Sequence, residues 1–193
     1  VAMQPLPRLI LATRNAHKTA EIRAMIGDRF EVVDATAFPD FPEIEETGAT
    51  FLENARLKAE GISRRIDGWV LSDDSGLEVD ALGGAPGVWS ARYAGEPKSD
   101  TRNNEKLLHE MQGVADRRAH YSCVLVLVHH ADDPQPLIAE GQWHGEIAQQ
   151  ERGGGGFGLV PQRAPVILLD GVNVRRLLRL HALRHHAVAL HLA

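Results

Sequence analysis

Arg8-Leu9-Ile10-Leu11-Ala12-Thr13-Arg14-Asn15-Ala16-His17-Lys18 decides the fold class. Residues 8–13 form a short apolar run that breaks at Asn15, and Ala20, Ile22, Met25 and Ile26 then recur at roughly helical spacing until Gly27. This predicts strand, loop, helix. Working outward, Phe30-Glu31-Val32-Val33 reads as a second strand before a loop with Pro39 and Pro42. Thr50-Phe51-Leu52-Glu53 has capping-box spacing, and Phe51, Ala55, Ala59, Ile62 and Ile66 mark one apolar stripe of a helix. Trp69-Val70-Leu71 reads as a strand that ends in an acidic turn, Ser72-Asp73-Asp74-Ser75-Gly76, and Gly83, Gly84 and Gly87 then exclude regular structure. Asn104, Leu107, Leu108 and Met111 suggest a further helix, and residues 121–128 a buried strand partnered by residues 138–147. The mixture predicts α/β or α+β, with no internal repeat and no heptad pattern.

A chain of 193 residues with 44% apolar and 24% charged residues has the size of one domain with its own core, with room for two lobes. Its formal net charge of −5 gives no general attraction to nucleic acid, which favours a small phosphate-bearing partner held by a few basic groups or a cation. Cys123 is the only cysteine, so neither an intramolecular disulfide nor a cysteine-built zinc site can form. The first five residues lack a basic or apolar signal character, and nowhere do eighteen apolar residues run together. The expectation is a soluble, cytoplasmic protein with no membrane partner.

Composition changes abruptly after Gly158. Residues 159–193 contain no Ser, Thr, Lys, Glu, Phe, Tyr or Trp, but hold five arginines and four histidines against one acid, Asp170. By difference, residues 1–158 carry −9 and this tail +4. Leu177, Leu180, Leu183 and Val188 fall roughly on one side of an amphipathic helix there.

Several groups could carry chemistry. Asp73 and Asp74 are adjacent on an extended segment, so they point to opposite faces and only one can face a given cleft. A carboxylate there suits a hard cation such as magnesium, or deprotonation of an attacking water; the same pair also suits a capped turn. Glu43, Glu45 and Glu46 supply further carboxylates before the capped helix, on which Asn54 and Lys58 share a face. Thr13 to Lys18 offers hydroxyl, amide and ammonium donors at a helix start, a phosphate-binding arrangement, although an Asn15 cap with an exposed Lys18 accounts for the same residues. The glycines at 153–156 satisfy G-x-G-x-x-G by default, but Pro161 follows too soon for a dinucleotide-binding helix and no Walker lysine is present. His181 and His185 lack the Glu of a zinc-protease helix.

The ordered set is more specific than any one motif. Leu11 to Lys18, Glu45-Glu46-Thr47-Gly48, Phe51-Leu52-Glu53-Asn54-Ala55 with Lys58, Ser72 to Leu77, Gly83 to Val88 with Ser90-Ala91-Arg92-Tyr93, and Gly154 to Gly158 resemble the inosine/xanthosine triphosphate pyrophosphatase family across residues 9–158. The resemblance implies an α/β fold with a long, bent mixed β-sheet, flanking helices, two lobes around a central cleft, and a homodimer. It implies magnesium-dependent hydrolysis of ITP, dITP and XTP, giving the nucleoside monophosphate and pyrophosphate. Carried over residue by residue, it implies Asp74 as general base and metal ligand and Glu46 as second metal ligand. Substrate would be bound by Thr13, Arg14, Asn15, Ala16, His17, Lys18, Lys58, Ser75, Phe157 and Gly158.

The tail departs from this pattern. Leu159-Val160-Pro161 stands where Tyr-Asp-Pro is called for, and the later lysine-asparagine and Ser-His-Arg elements are missing. Together with the compositional break, this suggests a remodelled end or a changed reading frame. A nucleotide-binding homologue with impaired turnover is then the competing function. A pyrophosphatase of modified pyrimidine nucleotides competes as well, although the Ser72 to Tyr93 pattern argues against it. So does a nucleic-acid-binding module using Arg175, Arg176, Arg179 and Arg184.

Overall fold

The computed structural model describes residues 6–150 and 159–161. Its elements are β1 (Arg8–Leu11), α1 (Ala16–Ile26), β2 (Glu31–Asp34), α2 (Phe51–Ser63), β3 (Trp69–Val79), α3 (Asp100–Glu110), β4 (Arg118–Val128), β5 (Leu137–Ile147) and β6 (Leu159–Pro161). They form a six-stranded sheet in the order β2-β1-β3-β4-β5-β6. β1 pairs in parallel with β2 and β3, and the other neighbours are antiparallel. The fold is the expected α/β with a mixed sheet.

Side-chain alternation assigns each strand residue to a face. Leu9, Leu11, Leu71, Leu125 and Leu127 meet Ile22 and Ile26 of α1, while Ile10, Val70, Val124 and Val126 meet Phe51, Ala55, Ala59 and Ile62 of α2. With a helix on each face, β1 has no solvent side, which is why it reads as a continuous apolar run. Leu9, Ile10 and Leu11 are at most 1% exposed, and each such burial contributes about 1.5–3 kcal/mol. The two fully buried alanines of α2 bring its backbone close to β3, where the Ser72 hydroxyl donates to Ala55 O. The capping box forms as its spacing predicts: Thr50 Oγ1 accepts from Glu53 N at 3.1 Å, and Glu53 Oε2 accepts from Thr50 N at 3.3 Å.

β3 and β4 have 11 residues each and extend beyond α1 and α2. Their far halves enter a second packing region, where Leu77, Val79, Ala119 and Ile147 meet Leu107 of α3 and Met111 just past its end. Two packing regions along one long sheet make the two-lobed arrangement.

The stretch Ser72 to Gly76 is not a turn. β3 runs straight through it, because every residue from Val70 to Val79 has an antiparallel partner on β4, Asp73 opposite Leu125 and Asp74 opposite Val124. A complete ladder outweighs the turn preference of Ser, Asp and Gly. Gly76 is there for close approach: a Cβ would lie 2.4 Å from Gly87 O and 2.6 Å from Ser90 Oγ, where the 3-10 segment Gly87–Arg92 docks on the strand. The tail helix expected around Leu177 to Val188 and the glycine run 153–156 lie outside the described residues. No helix among the described residues is long and apolar enough to cross a membrane.

Arg117 closes the far lobe. Its guanidinium donates to Ile147 O at 2.7 Å, Met111 O at 2.8 Å and Ala148 O at 2.8 Å, joining the end of β5 to the end of α3. Replacing it by Ala removes three charge-assisted hydrogen bonds and leaves Met111 O with only Val114 N at 3.3 Å, so Arg117→Ala should lower stability by about 2 kcal/mol, read as a drop in the urea midpoint with the denaturant slope unchanged.

Candidate active site

β1 leads through α1 to β2 on one side, and the chain returns through α2 to β3 on the other. The strand order therefore reverses at β1, and in open α/β sheets a crevice opens beyond the carboxyl end of such a strand. The backbone leaves the sheet at Ala12, whose N–H still donates to Leu71 O at 2.8 Å. β3 continues past that point with no further β1 partner. A cleft of about 240 Å³ opens there, with Thr13, Arg14, Lys18, Glu46, Lys58 and Asp73 on its walls.

The α1 wall is built from local hydrogen bonds. Thr13 Oγ1 accepts from Asn15 N at 3.1 Å, and Asn15 Oδ1 caps the helix by accepting from Lys18 N at 3.4 Å. Arg14 Nη2 donates to Phe41 O at 2.9 Å, fastening the opposite loop. Thr19 Oγ1 donates to the buried Asp34 Oδ2 at 2.7 Å, which ties the first turn of α1 to the end of β2. Lys18 Nζ then reaches Asp73 Oδ2 at 2.5 Å. Burial opposes the charge on Lys18, but the charge and hydrogen bond of Asp73 outweigh it, so the ammonium pKa rises above its ordinary value. Beneath this pair Cys123 is buried; desolvation and the Asp73 charge push its thiol up to about 11, so at neutral pH it is protonated and a poor nucleophile.

The α2 wall holds a second cluster. Lys58 Nζ lies 2.7 Å from Glu46 Oε1 and 3.8 Å from Asp74 Oδ1, so one ammonium stands between two carboxylates. Asp74 Oδ1 also accepts from Ser75 N at 3.0 Å, while Asp74 Oδ2 is buried with no hydrogen-bond partner. Burial raises the Asp74 pKa, Lys58 and the Asn54 amide lower it, and the Glu46 charge raises it again; the net shift is upward. Two carboxylates converging on one cation, one of them with an idle buried oxygen, form a donor set that fits a hard divalent ion. Among the described residues no three His, Cys, Asp or Glu side chains converge as a metal cage. That suits an ion held by one or two carboxylates plus waters and phosphates.

Of the residues expected from sequence, Thr13, Arg14, Lys18, Glu46 and Lys58 share the cleft, and Asp74 joins them through Lys58. Asn15 serves as the helix cap, and Ala16 opens α1 at an exposed position. Ser75 is exposed and lies outside the cleft lining, on the same face of β3 as Asp73. The side chain of His17, and Phe157 and Gly158, lie outside the described part of the structure. Asp73, which has no assigned role in the sequence motifs, lines the cleft and pairs with Lys18. Its neighbour Asp74 is the only visible signal, because a pairing over 55 positions has no local signature.

Fold and cleft define an α/β protein with a switch-point site in which Lys18 pairs with Asp73 and Lys58 with Glu46 and Asp74. The chain belongs to the Ham1 family, whose model matches residues 9–162. It is 54% identical over 154 residues to the dITP/XTP pyrophosphatase of Chromobacterium violaceum, covering 80% of this chain and 78% of that protein. To the dITP/XTP pyrophosphatase of Ralstonia nicotianae it is 53% identical over 157 residues, covering 80% and 78%. The solved structure of a HAM1 protein from Coxiella burnetii superposes with a TM-score of 0.75 at 41% identity, covering 81% of this chain and 80% of that one. The family match ends just past the point where the sequence motifs break off.

A raised Asp74 pKa has a stability consequence. The ionised, buried carboxylate costs stability fully above its folded-state pKa, and the cost vanishes below the ordinary aspartate value of 3.8. In metal-free buffer at neutral pH, Asp74→Asn should therefore melt above the parent chain, and the gap should close as the solution is acidified. Thermal melts across pH check this; a variant melting at or below the parent at neutral pH would count against burial as the ruling effect.

Proposed function

We propose that this protein hydrolyses nonstandard purine nucleoside triphosphates, ITP, dITP and XTP, to the nucleoside monophosphate and pyrophosphate. The observation that carries the reading is the convergence of Glu46, Lys58 and Asp74 at the switch point. It is supported by relatives named dITP/XTP pyrophosphatase at more than half identity over four fifths of the chain.

The residues divide the work by charge. Lys18 and Lys58 meet the negative charge of the triphosphate, and Thr13 and Arg14 add donors at the mouth of α1, whose positive dipole end faces the same region. Glu46 and Asp74 would hold a divalent ion, magnesium in this reading, which when bound neutralises charge on the phosphate oxygens. Asp74 accepts the proton of the attacking water, whose oxygen bonds to the α phosphorus while the bond to the bridging oxygen breaks and pyrophosphate leaves. The burial that raises the Asp74 pKa makes it a better proton acceptor than an exposed aspartate. Asp73 holds the Lys18 ammonium and is itself neutralised by it. The family resemblance further supports a cytoplasmic homodimer, with Phe157 and Gly158 near the base and Ser75 as a substrate contact.

The test is pyrophosphate release from inosine, xanthosine, adenosine and guanosine triphosphates, with and without magnesium, for the parent chain and Asp74→Asn. Turnover of the first two alone, dependent on magnesium and reduced roughly 10²–10⁴-fold in the variant, is expected for loss of a general base. Equal turnover of all four nucleotides, or an unchanged variant, would refute the reading.

A further inference from the structure

Glu46 lies on a stretch without helix or strand, whereas Asp74 is fixed in the sheet. Their relative position must therefore be set by whatever ties that loop to the body of the protein. Asn54 makes the tie. It is 2% exposed, sits in the first turn of α2, and its Oδ1 accepts from Gly48 N at 2.8 Å. Only Thr47 separates Gly48 from Glu46. The side-chain amide of Asn54 acts on the Asp74 carboxylate, favouring its ionised form, while Asp74 Oδ2 is buried with no hydrogen-bond partner. Lys58, one turn along the same face of α2, contacts both carboxylates.

Gly48 is shaped to this contact. A Cβ at that position would lie 2.7 Å from Asn54 Oδ1 and 2.6 Å from Glu53 Cβ. Only glycine lets the loop backbone come close enough for its N–H to reach the buried amide. The next two residues are held by the same helix end, Ala49 N donating to Glu53 Oε2 at 2.6 Å and Thr50 N to the same oxygen at 3.3 Å.

We propose that Asn54 is a positioning residue that sets the Glu46 carboxylate against Asp74, one end of its amide holding the Glu46 loop through Gly48 N–H and the other facing Asp74. This deepens the reading of Glu46 and Asp74 as the divalent-ion pair and rests on it. An acid in this place would repel both carboxylates, and an apolar residue would leave the Gly48 N–H unanswered. Neutral Asn supplies an acceptor to the loop and a donor edge to the carboxylate.

The experiment uses Asn54→Ala and Gly48→Ala in the full chain, with Arg117→Ala as a variant that only destabilises the distant lobe. Binding of Mn²⁺ to nucleotide-free protein is followed by electron paramagnetic resonance, exchange of the residue 43–50 amides by mass spectrometry, and kcat and KM for inosine triphosphate at saturating magnesium. Both cleft variants should bind Mn²⁺ roughly 10–100-fold more weakly, the size of effect seen when a supporting partner of a metal ligand is removed. Their loop amides should exchange faster, and kcat should fall more than KM changes. Arg117→Ala should melt lower with Mn²⁺ binding unchanged. If Asn54→Ala does not fold, Gly48→Ala still displaces the loop with Asn54 in place and decides the matter. Folded variants that bind Mn²⁺ as the parent does would overturn the role of Asn54 while leaving the ion pair standing. A parent chain that binds no Mn²⁺ would overturn both.

Discussion

One strand outlasts its parallel neighbour, and the site depends on that mismatch. β1 leaves the sheet after Leu11, while β3 continues, held by its antiparallel ladder to β4. Adjacent residues on an extended strand face opposite ways. Asp73 and Asp74 therefore emerge on either side of the sheet, just where the crevice opens. Each face has its own helix, and each helix brings one lysine: Lys18 from α1 to Asp73, and Lys58 from α2 to Asp74. Two successive carboxylates are in this way divided between the two helices: Asp73 lines the cleft beside Lys18, and Asp74 is joined to it through Lys58.

The two walls differ in electrostatic balance. On the α1 side one lysine and one aspartate form a close pair, and the raised pKa of Lys18 shows that attraction prevails over desolvation. The α2 side has two carboxylates to one ammonium, with a buried oxygen of Asp74 left over. There desolvation prevails and the Asp74 pKa rises. An imbalance of this kind costs folding stability and is retained where a cation or a proton has to be taken up. The surrounding architecture is correspondingly firm: the capping box of α2, the Thr19–Asp34 contact and the Gly76 notch all fix backbone around the cleft without entering it.

Much of the fold is legible from local signals. The continuous apolar run of β1, the helical spacing from Ala20 to Ile26, the capped amphipathic α2 and the antiparallel partnership of β4 and β5 each come from periodicity or capping, which neighbouring residues specify. The turn expected at Ser72 to Gly76 is instead strand, since composition favours a turn and the opposing ladder lies some fifty positions away. Thr13, Arg14, Lys18, Glu46, Lys58 and Asp74 are legible as an ordered motif set. The roles of Asp73 and Asn54 are not, because what distinguishes them is a contact across the fold.

Sequence alone determined the kind and order of most helices and strands, and which residue types stand ready for phosphate and cation chemistry, because hydrogen-bonding propensity and side-chain period act over a few residues. The tertiary structure decided that β3 runs through its acidic stretch, that Asp73 belongs to Lys18, and that Lys58 stands between Glu46 and Asp74. Those pairings join α1, the loop before α2, and β3. Coulomb attraction, desolvation and hydrogen-bond geometry depend on distance through space, and the packing of two helices on opposite faces of one sheet sets that distance.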